Sequence, residues 1–328
     1  MKRLVSTAIA LLLLLSLPAT AQTVGTWERI SVRTLFPLWD VTFVDSLHGY
    51  IVGDFGAILK STDGGFTWKQ KLTADQYALR NVHFFNDSTG IAAGFRGSVV
   101  RTTDRGESWH ALPVQLDLNF PGMSVVGSTV WLCGEEGIVL KSTDMGDTWK
   151  TIKTGTDFML GSISFADERH GWMATMQRKL WRSVDGGESW QEQKLDTFLP
   201  VTTLAARSAQ ECWLAGFQGL IMHTTDAGKT WQQHTSYQSD YSMIQFDSTG
   251  TGWAVGRRGA IVRGRDANLV WKLHDVPDTK SVNAITFLPN GAAVAVGDQG
   301  AIFRLRSIGA GELPPSPDAK DNNEEEAP

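Results

Sequence analysis

Short apolar segments alternate with polar turns along most of the chain, and they recur in groups with the same internal order. A group opens with a run such as VTFVD at residue 41, continues with GYIVG and GAILK, then has an Asp-containing turn. A fourth segment that begins at a Trp, such as TWKQ, closes the group. Four short strand-like segments joined by tight turns, repeated at about 40 residues, are typical of β-propeller blades.

The spacing of the Asp turns counts the blades. Complete turns have their Asp at Asp63, Asp104, Asp144, Asp185 and Asp226, with a degenerate copy at Asp266, and successive Asp residues lie 40 or 41 positions apart. The Trp residues that follow are Trp68, Trp109, Trp149, Trp190, Trp231 and Trp271, and Trp27 lies 41 residues before the first of them.

The last group, residues 285–306, has three strand-like segments and no Asp turn, so we expect the segment around Trp27 to complete it. This arrangement predicts an all-β, seven-bladed propeller with four-stranded blades, in which an N-terminal strand closes the last blade. Closure of this kind leaves no exposed inner sheet edge.

The Asp turns are best interpreted as structural corners, with a repeated ligand or metal site as the alternative. An Asp in a tight turn can accept hydrogen bonds from the backbone N–H groups two and three residues further on. The following Trp can then bury a large apolar area between neighbouring blades. A basic residue three positions before each Asp, such as Lys60, Arg101 or Lys141, recurs in the same way and is expected to belong to the blade framework.

The two chain ends differ from the repeats. Lys2 and Arg3 precede the apolar run LVSTAIALLLLLSL and the small-residue stretch PATA, the pattern of a secretory signal peptide cleaved near Ala21. We therefore expect residues 1–21 to be removed on export to the periplasm or the extracellular space, with no membrane span in the mature chain. Residues 22–311 are predicted to form the propeller, and residues 312–328, acidic and without aromatics, a disordered tail.

Charge and motif content narrow the class of partner. The chain carries 30 basic and 35 acidic residues, and the tail holds six of the acids. Because the folded body is nearly neutral, we expect no nucleic-acid partner. His and Cys residues lack the spacing of a metal site, and no phosphate-binding loop or nucleophile motif is present, so we expect neither metal nor cofactor. Cys133 and Cys212 lie at different strand positions in non-adjacent repeats and are not expected to pair.

Turns of the form S/T-x-D-x-G-x-S/T-W resemble the Asp-box, or bacterial neuraminidase repeat, of sialidases, xyloglucanases, sortilin-type receptors and photosystem II assembly factors. The seven-fold count and the blade pattern G-W-x-V-G-x-x-G-x-I-x-x-T-x-D-G-G-x-T-W, over residues 22–306, are most similar to the photosystem II stability/assembly factor family. The resemblance implies a non-catalytic propeller that holds a precursor polypeptide on a basic patch of one face.

A partner site on a repeated scaffold should lie where the repeats differ, which here is the face opposite the Asp turns. Arginine suits carboxylate recognition because its planar fork can contact both oxygens. The candidate contacts are Arg80, Arg96, Arg178, Arg257 and Arg258, with the aromatic residues Trp39 and Tyr241. Two alternatives stay open: ion pairs with intervening acids such as Glu135 and Asp298, and aromatic residues that cap the core instead of a partner.

The expected function is that of an exported, monomeric, non-catalytic scaffold that binds a polypeptide or an assembling membrane complex. The alternative is a sialidase-like or glycoside-hydrolase-like propeller. Sialidases need an arginine trio, a Tyr–Glu pair and an Asp acid, whereas this chain has four Tyr residues in all, and no carboxylate pair departs from the repeat.

Overall fold

In the computed structural model, the structure describes residues 26–71, 73, 76–264, 270–274 and 276–306. These residues form seven four-stranded antiparallel sheets whose innermost strands adjoin one another around a central channel. The prediction of a seven-bladed propeller is confirmed. The expected signal peptide, the expected tail and the degenerate turn at Asp266 lie outside the described residues.

The first strand is β1 (Trp27–Ile30), and each blade then runs outward in chain order. Blades one to three are β2 (Leu38–Phe43), β3 (Gly49–Gly53), β4 (Ile58–Ser61), β5 (Lys69–Lys71); β6 (Leu79–Phe84), β7 (Gly90–Gly94), β8 (Val99–Thr102), β9 (His110–Ala111); β10 (Gly122–Val126), β11 (Thr129–Cys133), β12 (Ile138–Ser142), β13 (Lys150–Lys153).

Blades four to seven are β14 (Leu160–Phe165), β15 (Gly171–Thr175), β16 (Leu180–Ser183), β17 (Gln191–Gln193); β18 (Val201–Ala206), β19 (Cys212–Gly216), β20 (Ile221–Thr224), β21 (Gln232–Gln233); β22 (Tyr241–Phe246), β23 (Gly252–Gly256), β24 (Ile261–Gly264), β25 (Lys272–His274); β26 (Val282–Phe287), β27 (Ala293–Gly297), β28 (Ile302–Leu305).

The seventh blade is completed by the first strand of the chain. Strand β1 pairs antiparallel with β28, with Trp27 opposite Leu305 and Ile30 opposite Ile302. Arg29 of the closing strand also forms a 2.9 Å ion pair with Asp278, in the loop before β26. The predicted N-terminal closure is therefore confirmed.

The core lies between the blades, and the second strand of every blade is buried along its whole length. The Trp after each Asp turn contributes to it. Trp109 of blade two is 3% exposed, packs in one cluster with Tyr50 and Val52 of blade one, and meets Phe84 edge-on. This confirms that the turn tryptophans bury apolar area between neighbouring blades. Both cysteines are buried and free.

The strand directions divide the loops between two faces. On one face, called here the Asp-turn face, lie the Asp turns and the turns between first and second strands. On the other, called the crossover face, lie the hairpins between second and third strands and the loops that cross to the next blade. The candidate arginines and Trp39 lie on or beside the crossover face.

Candidate functional site

Each complete Asp turn is held by the same few hydrogen bonds. In the third turn, Asp144 accepts hydrogen bonds from the Thr148 amide at 2.9 Å, the Thr148 hydroxyl at 2.6 Å and the Ser142 hydroxyl at 2.7 Å. The Ser142 hydroxyl in turn accepts the Gly146 amide at 2.8 Å. These bonds favour the carboxylate form, so the Thr148 hydroxyl above all lowers the pKa of Asp144 to about 2.

One detail of the prediction for these turns is wrong. Asp144 accepts the amide of Thr148, four positions further on, while the amide two positions on, that of Gly146, is bonded to the Ser142 hydroxyl. At Asp104 and Asp226 the hydroxyl four positions on lowers the pKa of the carboxyl most, and the amide three positions on does lower it further. The same bonds recur around Asp63, Asp104, Asp185 and Asp226. Every carboxylate is thus engaged within its own turn, as expected of a structural corner.

The basic residue of the third strand links adjacent blades. Lys60 pairs with Glu107 of the next Asp turn at 2.6 Å, and Lys141 pairs with Glu188 at 2.9 Å. In the closing blade, the Arg304 guanidinium donates to the Gly64 carbonyl at 2.8 Å. The recurring basic residue is therefore part of the framework, as predicted.

The crossover face carries most of the exposed apolar side chains. Of fourteen large hydrophobic residues that are exposed in the described part of the chain, nine lie on this face and three on the Asp-turn face. The most exposed are Phe198 at 87%, Leu35 at 77% and Phe55 at 67%. The nine are Leu35, Phe36, Phe55, Tyr77, Phe158, Met159, Met176, Phe198 and Tyr237. Exposed apolar groups gathered on one face are typical of an interaction surface.

Trp39 and Arg80 meet at the mouth of the channel. The Arg80 guanidinium lies 3.6 Å from the centre of the Trp39 ring and 5.3 Å from that of Phe95, both cation–π contacts. Trp39 donates its indole N–H to Asp54 at 2.6 Å. Burial, only partly offset by Asp54 and other carboxylates, lowers the pKa of Arg80 to about 10. These two candidates therefore form one fixed group.

The other candidate arginines are spread around the ring. Arg96 pairs with Asp117 at 2.9 Å, and Arg257 approaches Asp240 at 3.4 Å. Arg178 contacts the Phe198 carbonyl at 3.4 Å. No carboxylate pairs with Arg258 within the parts of the chain that the structure describes, which makes it the most available cation of the five.

Tyr241 does not lie on the surface. It is 1% exposed, and its hydroxyl donates to the Tyr237 carbonyl at 2.7 Å. Burial raises the pKa of Tyr241 to about 12. The expectation that Tyr241 contacts a partner is therefore wrong for this conformation, because the ring lies in the core and holds its crossover loop, whereas Tyr237 of that loop is 45% exposed.

Blade four breaks the hairpin pattern, as the sequence TMQRK predicts. The other six hairpins have Gly at the third turn position; at Gly137 an added Cβ would lie 1.7 Å from the Thr156 carbonyl oxygen. Blade four has Arg178 there, with the left-handed φ of 66°. The crossover loop that follows cannot approach this hairpin in the same way, and it presents Phe198 to solvent.

The channel contains residues that the sequence reasoning missed. Asp40 of β2 accepts the Val41 amide at 2.8 Å and the Val82 amide of blade two at 2.9 Å. Burial raises the pKa of Asp40 to about 7 against the lowering effect of these amides and of Arg80. A polar residue between apolar neighbours in six of the seven first strands was the available sequence signal.

Two further observations concern the described residues only. No group of three or more His, Cys, Asp or Glu side chains among them is arranged to hold a metal ion. None of the helices found in that part of the chain has the length and apolar character needed to cross a membrane.

A sequence model of the family described as photosynthesis system II assembly factor YCF48 matches residues 19–123, 71–158 and 149–312. The chain belongs to this family. A photosystem II assembly lipoprotein Ycf48 from Parasynechococcus marenigrum is 36% identical over 81 residues, which are 22% of this chain and 24% of that protein. The matched segment thus spans about a quarter of that curated relative.

Among solved structures, a YCF48 bound to a D1 peptide has a TM-score of 0.71 at 19% identity, covering 87% of this chain and all of that one. An ancestral GH74 enzyme has a TM-score of 0.68 at 13% identity, covering 87% of this chain and 46% of that one. At these identities both similarities show the propeller fold alone.

Proposed function

We propose that this protein is an exported, non-catalytic propeller that binds a polypeptide of an assembling membrane complex on its crossover face. Membership of the YCF48 family supports this function, as does a solved relative with a D1 peptide bound. The observation that carries the proposal is the gathering of nine exposed apolar side chains on the face that also bears Arg96, Arg257 and Arg258. Extended polypeptides offer both apolar side chains and carboxylates to such a surface.

Export, a monomeric state and cleavage near Ala21 are parts of the same proposal, supported by the sequence of residues 1–21. The curated relative is named a lipoprotein. In this chain the first cysteine is Cys133, buried within blade three.

The glycosidase alternative finds little support in the channel, where propeller enzymes hold their substrates. Glycoside hydrolysis generally uses two carboxyl groups about 5–10 Å apart. Asp40 is the single carboxyl among the described residues that line the channel, and it accepts hydrogen bonds from two backbone amides. Binding is therefore the function that the geometry supports best.

The proposal is tested with charge reversal on the two faces. Arg96→Glu combined with Arg258→Glu should weaken binding of a fluorescent D1 peptide by about tenfold or more, since each reversal turns an attraction for carboxylates into a repulsion. Lys229→Glu, on the Asp-turn face, is the matched control and should bind as the original protein does. Fluorescence anisotropy gives the affinities, and thermal unfolding confirms that all variants fold.

Two results would count against this function. Equal affinity of the doubly reversed protein and the Lys229→Glu control would exclude the crossover face. Hydrolysis of sialosides or glucans by the purified protein, lost in Asp40→Asn, would support the enzyme instead.

A further inference from the structure

The central channel is a polar cavity of about 490 Å³, lined by the innermost strands of the propeller. Hydroxyl side chains of these strands accept backbone N–H groups from the next blade. The four such bonds are Leu204 to Ser162 at 3.2 Å, Ile244 to Thr203 at 3.2 Å, Phe165 to Ser124 at 2.9 Å and Ala206 to Ser164 at 2.9 Å. These bonds link blade three to four, four to five and five to six around the axis.

This arrangement leaves the channel rich in hydrogen-bond donors. A hydroxyl that accepts an N–H still has its own proton to donate. Within the described ranges, no acceptor takes the protons of Ser124, Ser162, Ser164 or Thr203. A cavity lined by hydroxyls that keep a proton to donate suits a guest rich in acceptor oxygens.

The rim of the channel on the crossover face carries large side chains on one side and small ones on the other. The second residue of each first strand, or its equivalent in blade three, forms this rim: Trp39, Arg80, Pro121, Gly161, Thr202, Ser242 and Asn283 in blade order. The rim is bulky over blades one and two and small over blades four to six. An added Cβ at Gly161 would have a single neighbour within 4 Å, the Ala174 carbonyl oxygen at 3.9 Å. The open side therefore lies directly above Ser162 and Thr203.

We propose that a carboxylate of the bound polypeptide enters the channel over Gly161, Thr202 and Ser242 and accepts hydrogen bonds from the Ser162 and Thr203 hydroxyls. This inference rests on the proposed function and names the chemistry that the partner brings to the crossover face. The carboxylate belongs either to the chain end or to an Asp or Glu side chain. Both sources offer the same two acceptor oxygens.

Asp40 makes this binding depend on pH. Burial raises the pKa of Asp40 to about 7, so near neutrality it can exist as a carboxylic acid that also donates a hydrogen bond. As a carboxylate it would repel the guest, so affinity should rise as pH falls through 7. The ionisable groups that surround Asp40 or line the channel are Arg80, Asp54, Asp298, His83 and Arg207. Burial lowers the pKa of His83 to about 4, which leaves its ring neutral over this range.

The first experiment uses acetate alone, without any peptide. In ¹H–¹⁵N spectra, acetate should cause saturable shifts of the Leu204 and Ile244 amides, which are bonded to the proposed donors, while acetamide should not. Acetate affinity should rise by at most roughly tenfold in total as pH falls from 8 to 6, and Asp40→Asn should remove this dependence. Absence of saturable acetate shifts would overturn the inference.

The second experiment uses the D1 peptide in three forms: with a free C-terminus, with an amidated C-terminus, and with every Asp or Glu that it contains replaced by Asn or Gln. Gly161→Leu narrows the entrance of the channel and should lower the affinity for the peptide with a free C-terminus about tenfold. Thr42→Leu, at the opposite end of the channel, should leave that affinity unchanged. Loss of affinity on amidation would identify the C-terminal carboxylate of the peptide as the bound group. Loss of affinity on replacing Asp and Glu would identify a side-chain carboxylate instead.

The outcomes separate the two proposals. Acetate binding without peptide binding would leave the channel site standing and reject this peptide as partner. Suppose instead that the peptide binds equally well to Gly161→Leu and to the original protein, and that both neutralised peptides bind as tightly as the unmodified one. That result would support the proposed function and reject the channel site.

Discussion

The two faces of the propeller are built from the same seven repeats but use them differently. On the Asp-turn face, five turns repeat one set of hydrogen bonds, and their Trp residues join neighbouring blades. On the crossover face, the seven hairpins carry Asp, Phe, Glu, Met, Phe, Arg and Asp, in blade order, at the matching first position. Repetition thus accompanies stability, and divergence accompanies the surface proposed to bind.

The largest effect on stability is expected from Trp109→Ala, on the Asp-turn side of the propeller. Removing a side chain that is 3% exposed should lower the free energy of unfolding by about 3–5 kcal/mol. Trp39→Ala, the same change at the half-buried rim of the crossover face, should cost clearly less. Urea denaturation measures both, and equal losses would mean that the two faces contribute alike.

A smaller effect is expected from Asp144→Ala. Loss of the turn hydrogen bonds should cost about 1–2 kcal/mol at pH 7, comparable to loss of a helix cap. Because the folded-state pKa is about 2, below the ordinary value near 3.9, this stabilisation is present above pH 4 and lost as pH falls towards 2.

The melting temperatures of the original protein and of Asp144→Ala should therefore converge between pH 4 and pH 2. Asp226→Ala repeats the test in another blade with the same bonds, and its melting temperature should converge with that of the original protein over the same pH range. A difference that is constant with pH, or present in one blade alone, would show that the turns are not equivalent.

Substitutions should weaken peptide binding only when they lie on the crossover face. Phe198→Ser should weaken D1 peptide binding by about tenfold, as expected for an exposed aromatic contact, while stability changes by less than about 0.5 kcal/mol. Val184→Ser, at a 46% exposed site on the Asp-turn face, is the apolar control and should leave affinity unchanged. Calorimetric titration compares them, and equal weakening would remove the distinction between the faces.

The smallest effect concerns the irregular hairpin of blade four. Arg178→Gly should stabilise the protein by about 0.5–1 kcal/mol, because glycine adopts the φ of 66° without steric cost. A thermal shift assay detects this gain. Destabilisation instead would show that the Arg178 contact with Phe198 outweighs the backbone strain.

Sequence reasoning predicted the repeated framework and the irregular hairpin of blade four, and it missed features that depend on side-chain packing or on contacts between blades. The blade count, the closing strand and the inter-blade Trp residues follow from a period that many residues share. Tyr241 was misplaced because a loop aromatic can turn inward or outward, and only the packing of neighbouring strands decides. Asp40 and the channel hydroxyls were missed because their roles depend on amides 41 or 42 residues further along the chain.

Closure by β1 also has a consequence for when the protein can fold. Trp27 of β1 pairs opposite Leu305 of β28, so the partner of the first propeller strand is the last propeller strand to be synthesised. Until then, both sides of the incomplete ring present unpaired strands, which makes the intermediate prone to association. A ring that closes only when β28 is available stays open, and therefore deformable, until nearly the whole propeller has been synthesised.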